Sequence, residues 1–202
     1  MRPRQGPQGT ATTRYFDSHF QRPAVKLSPG EYHISGDQEV LVTVLGSCVS
    51  ACIRDPVAGV SGMNHFLLPS TNREDELVLA RYGIHAMEVL INGLLARGGQ
   101  RERLEVKLFG GANLMRSRNT SNVGHNNARF ASAFMSREGL SVVTSDLFGH
   151  DPRKIWYFPE SGRVMLRRLK VTRNDTIIRR EVEYSKALAE PADSGGDVEL
   201  FG

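Results

Sequence analysis

Val40–Leu68 reads VLVTVLGSCVSACIRDPVAGVSGMNHFLL. Val40–Val44 (VLVTV) is a short, apolar, β-branched run, the pattern of a buried strand. It leads into Gly46-Ser47-Cys48 and then Val49–Ile53 (VSACI). Asp55-Pro56 and Gly59 mark a turn, after which Val60–Leu68 (VSGMNHFLL) resumes as a second strand, stopped by Pro69. Strand, small-residue turn and returning strand place a cysteine and a histidine, Cys48 and His65, within one local unit.

Outward from this unit, Thr71–Glu76 is polar and reads as a surface loop. Leu77–Arg97 carries Ala80, Ile84, Met87, Leu90, Ile91, Leu94 and Leu95 at three- and four-residue steps, a helix ended by Gly98-Gly99. Leu104–Phe109 alternates as a strand before Gly110-Gly111-Ala112-Asn113. A polar loop at Asn122–Asn127 leads into a helix at about Ala128–Arg137. Ser141–Ser145, Lys154–Phe158 and Arg163–Thr172 read as strands, and Thr176–Tyr184 as an edge strand. The fold class is therefore α+β: mixed β-sheets packed together and flanked by two main helices, in one domain. That domain spans 27–186. Residues 1–26, rich in Arg, Gln, Gly, Pro and Thr, read as a disordered arm with a short anchor at Tyr15–Phe20, and 187–202 as a flexible tail.

The chain has 202 residues, 40% of them hydrophobic and 24% charged, enough for a sizeable core. No stretch reaches the roughly 20 apolar residues of a bilayer span, and the basic N-terminus lacks an apolar signal core. A cytoplasmic location is the expectation. The two cysteines, Cys48 and Cys52, are too few for a disulfide framework. As zinc ligands with His65 they lack the second pair of a four-coordinate site. No metal and no cofactor is expected.

A catalytic cysteine needs a lowered pKa, access and a base in reach. Cys48 has small neighbours (Gly46, Ser47, Ser50, Ala51) that let a carbonyl approach its sulfur. If Val49–Ile53 begins a helix, Cys48 stands at its N-terminus, where the dipole and free N–H groups favour a thiolate and an oxyanion. If the strands pair across Asp55–Gly59, His65 meets Cys48. Cys52, flanked by Ala51 and Ile53, reads as a buried small hydrophobe. Ser47, Asn64, Gly110, Gly111 and Asn113 are the expected substrate-binding positions, the glycine turn letting a substrate chain approach.

The string Leu45–Pro69, LGSCVSACIRDPVAGVSGMNHFLLP, closely resembles the signature of the chemoreceptor glutamine deamidases, the CheD family of bacterial chemotaxis. Further blocks follow in order: Tyr82-Gly83 with Ala86-Met87, KLFGGAN at Lys107–Asn113, Asn122-Val123-Gly124, Ser145-Asp146-Leu147, Pro152-Arg153-Lys154 and Gly162. The resemblance covers roughly Val25–Leu169. It implies hydrolysis of particular glutamine side-chain amides to glutamate on methyl-accepting receptor helices, with Cys48 as nucleophile and His65 as base. It implies a third member, for which Thr43 is the candidate, although family proteins hold one more residue between that threonine and the cysteine. The implied partners are the cytoplasmic helices of chemoreceptors and a chemotaxis phosphatase, with the membrane approached only through the receptor. The rival reading is a non-catalytic module that binds receptor or phosphatase.

Arg163–Arg180 holds Arg163, Arg167, Arg168, Lys170, Arg173, Arg179 and Arg180 against Asp175 alone. It reads as a solvated face or as a landing surface for an acidic receptor segment. Nucleic acid is not an expected partner, since aromatics are not interleaved for stacking.

Overall fold

The computed structural model describes residues 9–35, 38–68, 76–114, 123–169 and, farther on, 176, 177, 179, 181, 183 and 184. In chain order the strands are β1 (Gly9–Thr10), β2 (Thr13–Asp17), β3 (Arg22–Lys26), β4 (Glu31–Ser35), β5 (Val40–Leu45), β6 (Val49–Asp55) and β7 (Val60–His65). Helix α1 (Glu76–Leu95) follows, then β8 (Glu105–Gly110), helix α2 (Val123–Arg137), β9 (Ser141–Leu147), β10 (Arg153–Phe158) and β11 (Arg163–Arg168). They form a six-stranded sheet, β1-β4-β7-β6-β8-β9, and a five-stranded sheet, β11-β10-β5-β3-β2. Both sheets are mixed, since β1–β4, β8–β9 and β3–β5 are parallel and the other pairs antiparallel. The α+β architecture of two packed mixed sheets and two main helices is the one the sequence implies.

Strand alternation divides the core into two layers. Val49, Ala51, Ile53 and Phe66 of the six-stranded sheet pack with Met87, Leu90 and Leu94 of α1 and with Ala128, Ala131 and Met135 of α2. Cys48, Cys52, Met63 and Leu67 face the other way and meet Val25, Leu41, Leu45, Ile155 and Tyr157 of the five-stranded sheet. Each fully buried Leu or Met in these layers contributes roughly 1.5–3 kcal/mol. Helix α1 ends in a Schellman turn: Gly98 takes φ +92, the Gly99 N–H reaches the Leu94 carbonyl at 3.1 Å and the Gly98 N–H that of Leu95 at 3.0 Å.

Several expectations are corrected. Val49–Ile53 is strand β6, not the start of a helix. It is flanked on both sides, pairing with β7 through Cys52↔Met63 and with β8 through Ala51↔Leu108. A strand covered on both faces tolerates small residues such as Ser50, Ala51 and Cys52, which blurs its periodicity. Thr176, Ile177, Arg179, Glu181, Glu183 and Tyr184 are helical, so the expected edge strand is not formed. Strand β11 ends at Arg168, and β4, which the sequence reading passed over, fills the place beside β7. Residues 1–8 and 187–202 lie outside the described residues, as do Lys170, Arg173 and Arg180 of the basic stretch.

The arm read as disordered over 1–26 holds three strands within 9–26. Alone it has little apolar surface, but β3 docks in parallel on β5, with Val25 opposite Leu41, and β2 pairs with β3. Phe20 stands edge-on to Trp156 and Phe158, and Arg22 pairs with Glu160. Removing residues 1–26 should therefore lower the thermal midpoint by roughly 10 °C or more, at about 2–4 °C per kcal/mol. Calorimetry on the shortened chain checks this; an unchanged midpoint would show that the strands add nothing.

Candidate active site

The turn between β5 and β6 is gripped by its carbonyls. Gly111 donates its N–H to the Cys48 carbonyl at 2.7 Å, Ala112 to that of Gly46 at 2.8 Å, and the Asn127 side chain to that of Ser47 at 2.9 Å. Gly110 must be glycine for this: its φ is +116, and a Cβ would stand 2.1 Å from the Cys48 carbonyl oxygen. With three successive carbonyls committed to the β8 end and to α2, the N–H groups of Gly46, Ser47 and Cys48 converge on one point, the carboxylate of Glu181. Gly46 donates at 3.0 Å, Ser47 at 3.0 Å through its N–H and at 2.5 Å through Oγ, and Cys48 at 3.4 Å. Such a nest of backbone donors suits a carboxylate or a developing oxyanion.

Register places Cys48 and His65 on one face. Val49 and Phe66 exchange backbone hydrogen bonds at 3.0 and 2.9 Å, so Cys48 lies opposite Leu67 and diagonal to His65, within side-chain reach. Both project between the sheets, where Thr43 of β5 projects back. Thr43 Oγ1 is 2.7 Å from His65 Nδ1 and 2.8 Å from the Leu27 carbonyl. The carbonyl can only accept, so the one hydroxyl hydrogen of Thr43 goes to it. Thr43 Oγ1 must then accept from His65, which fixes the Nδ1–H tautomer. Nε2 is left with its lone pair; it is buried and has no hydrogen-bond partner.

Burial sets the charge state of this group. It pushes the His65 pKa down to about 4, the Leu27 carbonyl weakly opposing. Burial first, then the charge of Glu181 and a hydrogen bond to it, push the Cys48 thiol well above its ordinary value. The covered pair is thus a neutral thiol and a neutral imidazole. Cys48 does not stand at the start of a helix, because β6 occupies Val49–Asp55 where a helix was expected. Tyr184 closes the same side: a Cβ on Gly30 would fall 2.2 Å from its hydroxyl, and Gly30 donates to the His65 carbonyl at 2.8 Å.

The structure joins Thr43 to His65, joins Ser47 and Cys48 to Glu181, sets Cys48 and His65 on one face of the paired strands, and commits other expected positions elsewhere. Asn64 is committed elsewhere, accepting from the Ala51 N–H at 2.8 Å and donating to the Ala86 carbonyl of α1 at 3.0 Å. Gly110 and Gly111 support the Gly46–Cys48 turn from behind, Gly111 donating to the Cys48 carbonyl and Gly110 leaving room for it. Asn113 donates its N–H to the Gly149 carbonyl at 2.8 Å, and Leu114 beside it crowds Gly46. Cys52 is buried in the inter-sheet layer, its thiol raised to about 12 by that burial. Glu181 was not singled out by sequence reasoning, whereas Asn127 ends the Asn122–Asn127 stretch read as a polar loop beside the site and lies in α2 in the structure. Asn127 accepts from the Leu68 N–H at 2.8 Å while it holds Ser47, so α2 orients the turn. Among the described residues no group of three or more His, Cys, Asp or Glu is placed to hold a metal ion, and no helix is long and apolar enough to cross a membrane.

The family model described as CheD chemotactic sensory transduction matches residues 67–168, beginning just past His65. Relatives cover the remaining part of the site. A protein of Herminiimonas arsenicoxydans named probable chemoreceptor glutamine deamidase CheD is 48% identical over 194 residues, 95% of each chain. A protein of Dechloromonas aromatica, named probable chemoreceptor glutamine deamidase CheD 1, is 49% identical over 192 residues, again 95% of each. One from Halorhodospira halophila is 49% identical over 195 residues, 93% of this chain and 89% of its own. With nearly whole-length likeness at this level, the chain belongs to the CheD family of chemoreceptor glutamine deamidases.

Proposed function

We propose that this protein hydrolyses glutamine side-chain amides to glutamate on the cytoplasmic helices of chemoreceptors, through a thioester on Cys48. The observation that carries the reading is the hydrogen bond that holds His65 as the Nδ1–H tautomer. It leaves an unpartnered Nε2 lone pair on the face that Cys48 shares.

In the reaction, Cys48 passes its proton to His65 Nε2 as the sulfur attacks the carboxamide carbon. The N–H groups of Gly46, Ser47 and Cys48 receive the developing oxyanion, with Ser47 Oγ beside them. Imidazolium Nε2–H protonates the departing ammonia. The freed lone pair then takes a proton from water, which opens the thioester and returns the thiol. Thr43 accepts from Nδ1–H throughout and steadies the charged ring, the third role of a triad. Arg163, Arg167 and Arg168 are exposed along β11 and suit an acidic receptor segment, while Arg168 also meets Asp146 at 2.7 Å. Binding without chemistry, to receptor or to a phosphatase, gives no reason for this hydrogen-bond order.

The test is incubation with a receptor cytoplasmic fragment, followed by peptide masses that separate amide from acid. Cys48→Ala should abolish the change and Cys52→Ala should leave most of it. His65→Ala should lower the rate by roughly 10²–10⁴-fold with receptor affinity retained. Deamidation by the Cys48→Ala protein at the wild-type rate would end this reading.

The depressed His65 pKa also predicts a stability profile. The folded state holds His65 neutral, so its contribution is full above the unfolded value of 6.5. It is lost as pH falls from there toward about 4, because the unfolded chain takes the proton first. The loss is on the order of 3 kcal/mol. Denaturant titrations at pH 7, 5.5 and 4 should show wild type losing this increment relative to His65→Gln; parallel curves would contradict it.

A further inference from the structure

The carboxylate in the nucleophile's nest belongs to the chain itself. Glu181 lies more than a hundred residues from Gly46, Ser47 and Cys48, yet it takes a donor from each and a fourth from Ser47 Oγ. Gly46 is shaped around it: a Cβ there would stand 2.7 Å from Glu181 Oε1. Residues on both sides of Glu181, including Arg179, Glu183 and Tyr184, are helical. Tyr184, a turn or so beyond Glu181 on the same helical face, packs against the inter-sheet core beside Cys48 and occupies the space that Gly30 leaves. Cys48 itself is fully buried. A helix-borne glutamate whose acid group sits against the thiol has the form of a finished reaction: glutamate is what a glutamine becomes once its ammonia has left.

We propose that the C-terminal helical segment is an internal product mimic, with Glu181 held in the nest that receives the substrate carboxamide, and that it vacates the site before a receptor helix binds. The inference deepens the proposed deamidase reading and rests on Cys48 as its nucleophile. The same contacts account for the reluctance of the thiol. Withdrawal of Glu181 removes a negative charge and part of the burial that oppose thiolate formation. It follows that the substrate side chain enters from a helix and is as long as glutamate, so that its carbonyl oxygen meets the Gly46–Cys48 N–H groups.

The decisive variant is Glu181→Gln, which has the same shape and places an amide where the acid was. The thiol of Cys48 should then attack this introduced carboxamide of its own chain: the C–N bond breaks, ammonia leaves with the proton from His65, and water hydrolyses the thioester to restore glutamate. Intact mass should show the purified variant regaining the difference between amide and acid, and the double variant with Cys48→Ala should keep the amide. Glu181→Ala tests occupancy without relying on chemistry. Alkylation of Cys48 by iodoacetamide in the full-length protein should rise by roughly tenfold to a thousandfold, the range set by a minor open state of about 0.1–10%. Thermal midpoints of both variants establish that they are folded. Equal alkylation of wild type and Glu181→Ala, with the amide retained in Glu181→Gln, would overturn the proposal. Failure of the deamidase reading is separate: no variant would then change the mass of the receptor fragment, while the alkylation comparison would still decide whether Glu181 covers the thiol.

Discussion

One proton governs the site. The Thr43 hydroxyl has a single hydrogen, and the Leu27 carbonyl at 2.8 Å can only accept it. Every other assignment follows: Thr43 accepts, His65 donates from Nδ1, and Nε2 keeps a free lone pair, buried and without a hydrogen-bond partner. The partners come from different layers. Leu27 follows β3, Thr43 sits in β5 of the same sheet, and His65 ends β7 of the other. Parallel pairing of β3 with β5 sets the height of the carbonyl, with the Leu27 N–H on the Val42 carbonyl at 2.8 Å. The two-sheet packing is therefore more than a scaffold, because it holds the histidine in one protonation form.

How much of this the sequence discloses depends on the range of the interaction. Cys48 immediately precedes β6 and His65 ends β7, two strands joined by a short turn. Their place on one face follows from alternation and pairing, and the CheD-like signature around them adds to it. Thr43 is harder, since its spacing to Cys48 departs from the family by one residue; only its register with His65 across the sheets singles it out. The small residues of Val49–Ile53 fit a strand or a helix equally well, and β7 and β8 settle the matter from outside the segment. Asn64 and the Gly110–Gly111 pair are chemically suited to line a substrate groove, yet backbone groups of their neighbours claim them. The N-terminal arm looks unstructured because its partner surface, β5 with Phe158 and Trp156, is far along the chain. Glu181 is the extreme case: its bond to Gly46 spans 135 residues, and a glutamate in a charged stretch carries no local sign of its destination.

The Gly46–Cys48 turn also shows how a strand connection can converge backbone N–H groups as a helix end does. Its three carbonyls are drawn backward by Gly111, Ala112 and Asn127, so its N–H groups are left pointing forward together. No macrodipole is needed, and the geometry is as rigid as the β8 end and α2 that hold it. Glycine at 110 and 111 is the condition for that close approach, since a Cβ on Gly111 would lie 2.7 Å from that of Ala128.

The position of Cys52 bears on the oxidative fate of the site. Four residues of extended chain separate it from Cys48, about 13 Å at the usual strand rise, whereas a disulfide needs Cα atoms within roughly 7 Å. Cys52 is moreover a buried thiol raised to about 12, a poor nucleophile toward a sulfenic acid. Cys48 therefore has no resolving partner within its own strand. Once oxidised by peroxide it would depend on an outside thiol for repair, and without one it would pass to the irreversible sulfinic state. A thiol kept protonated and covered is the durable form of such a residue, because burial limits the access of peroxide to the sulfur.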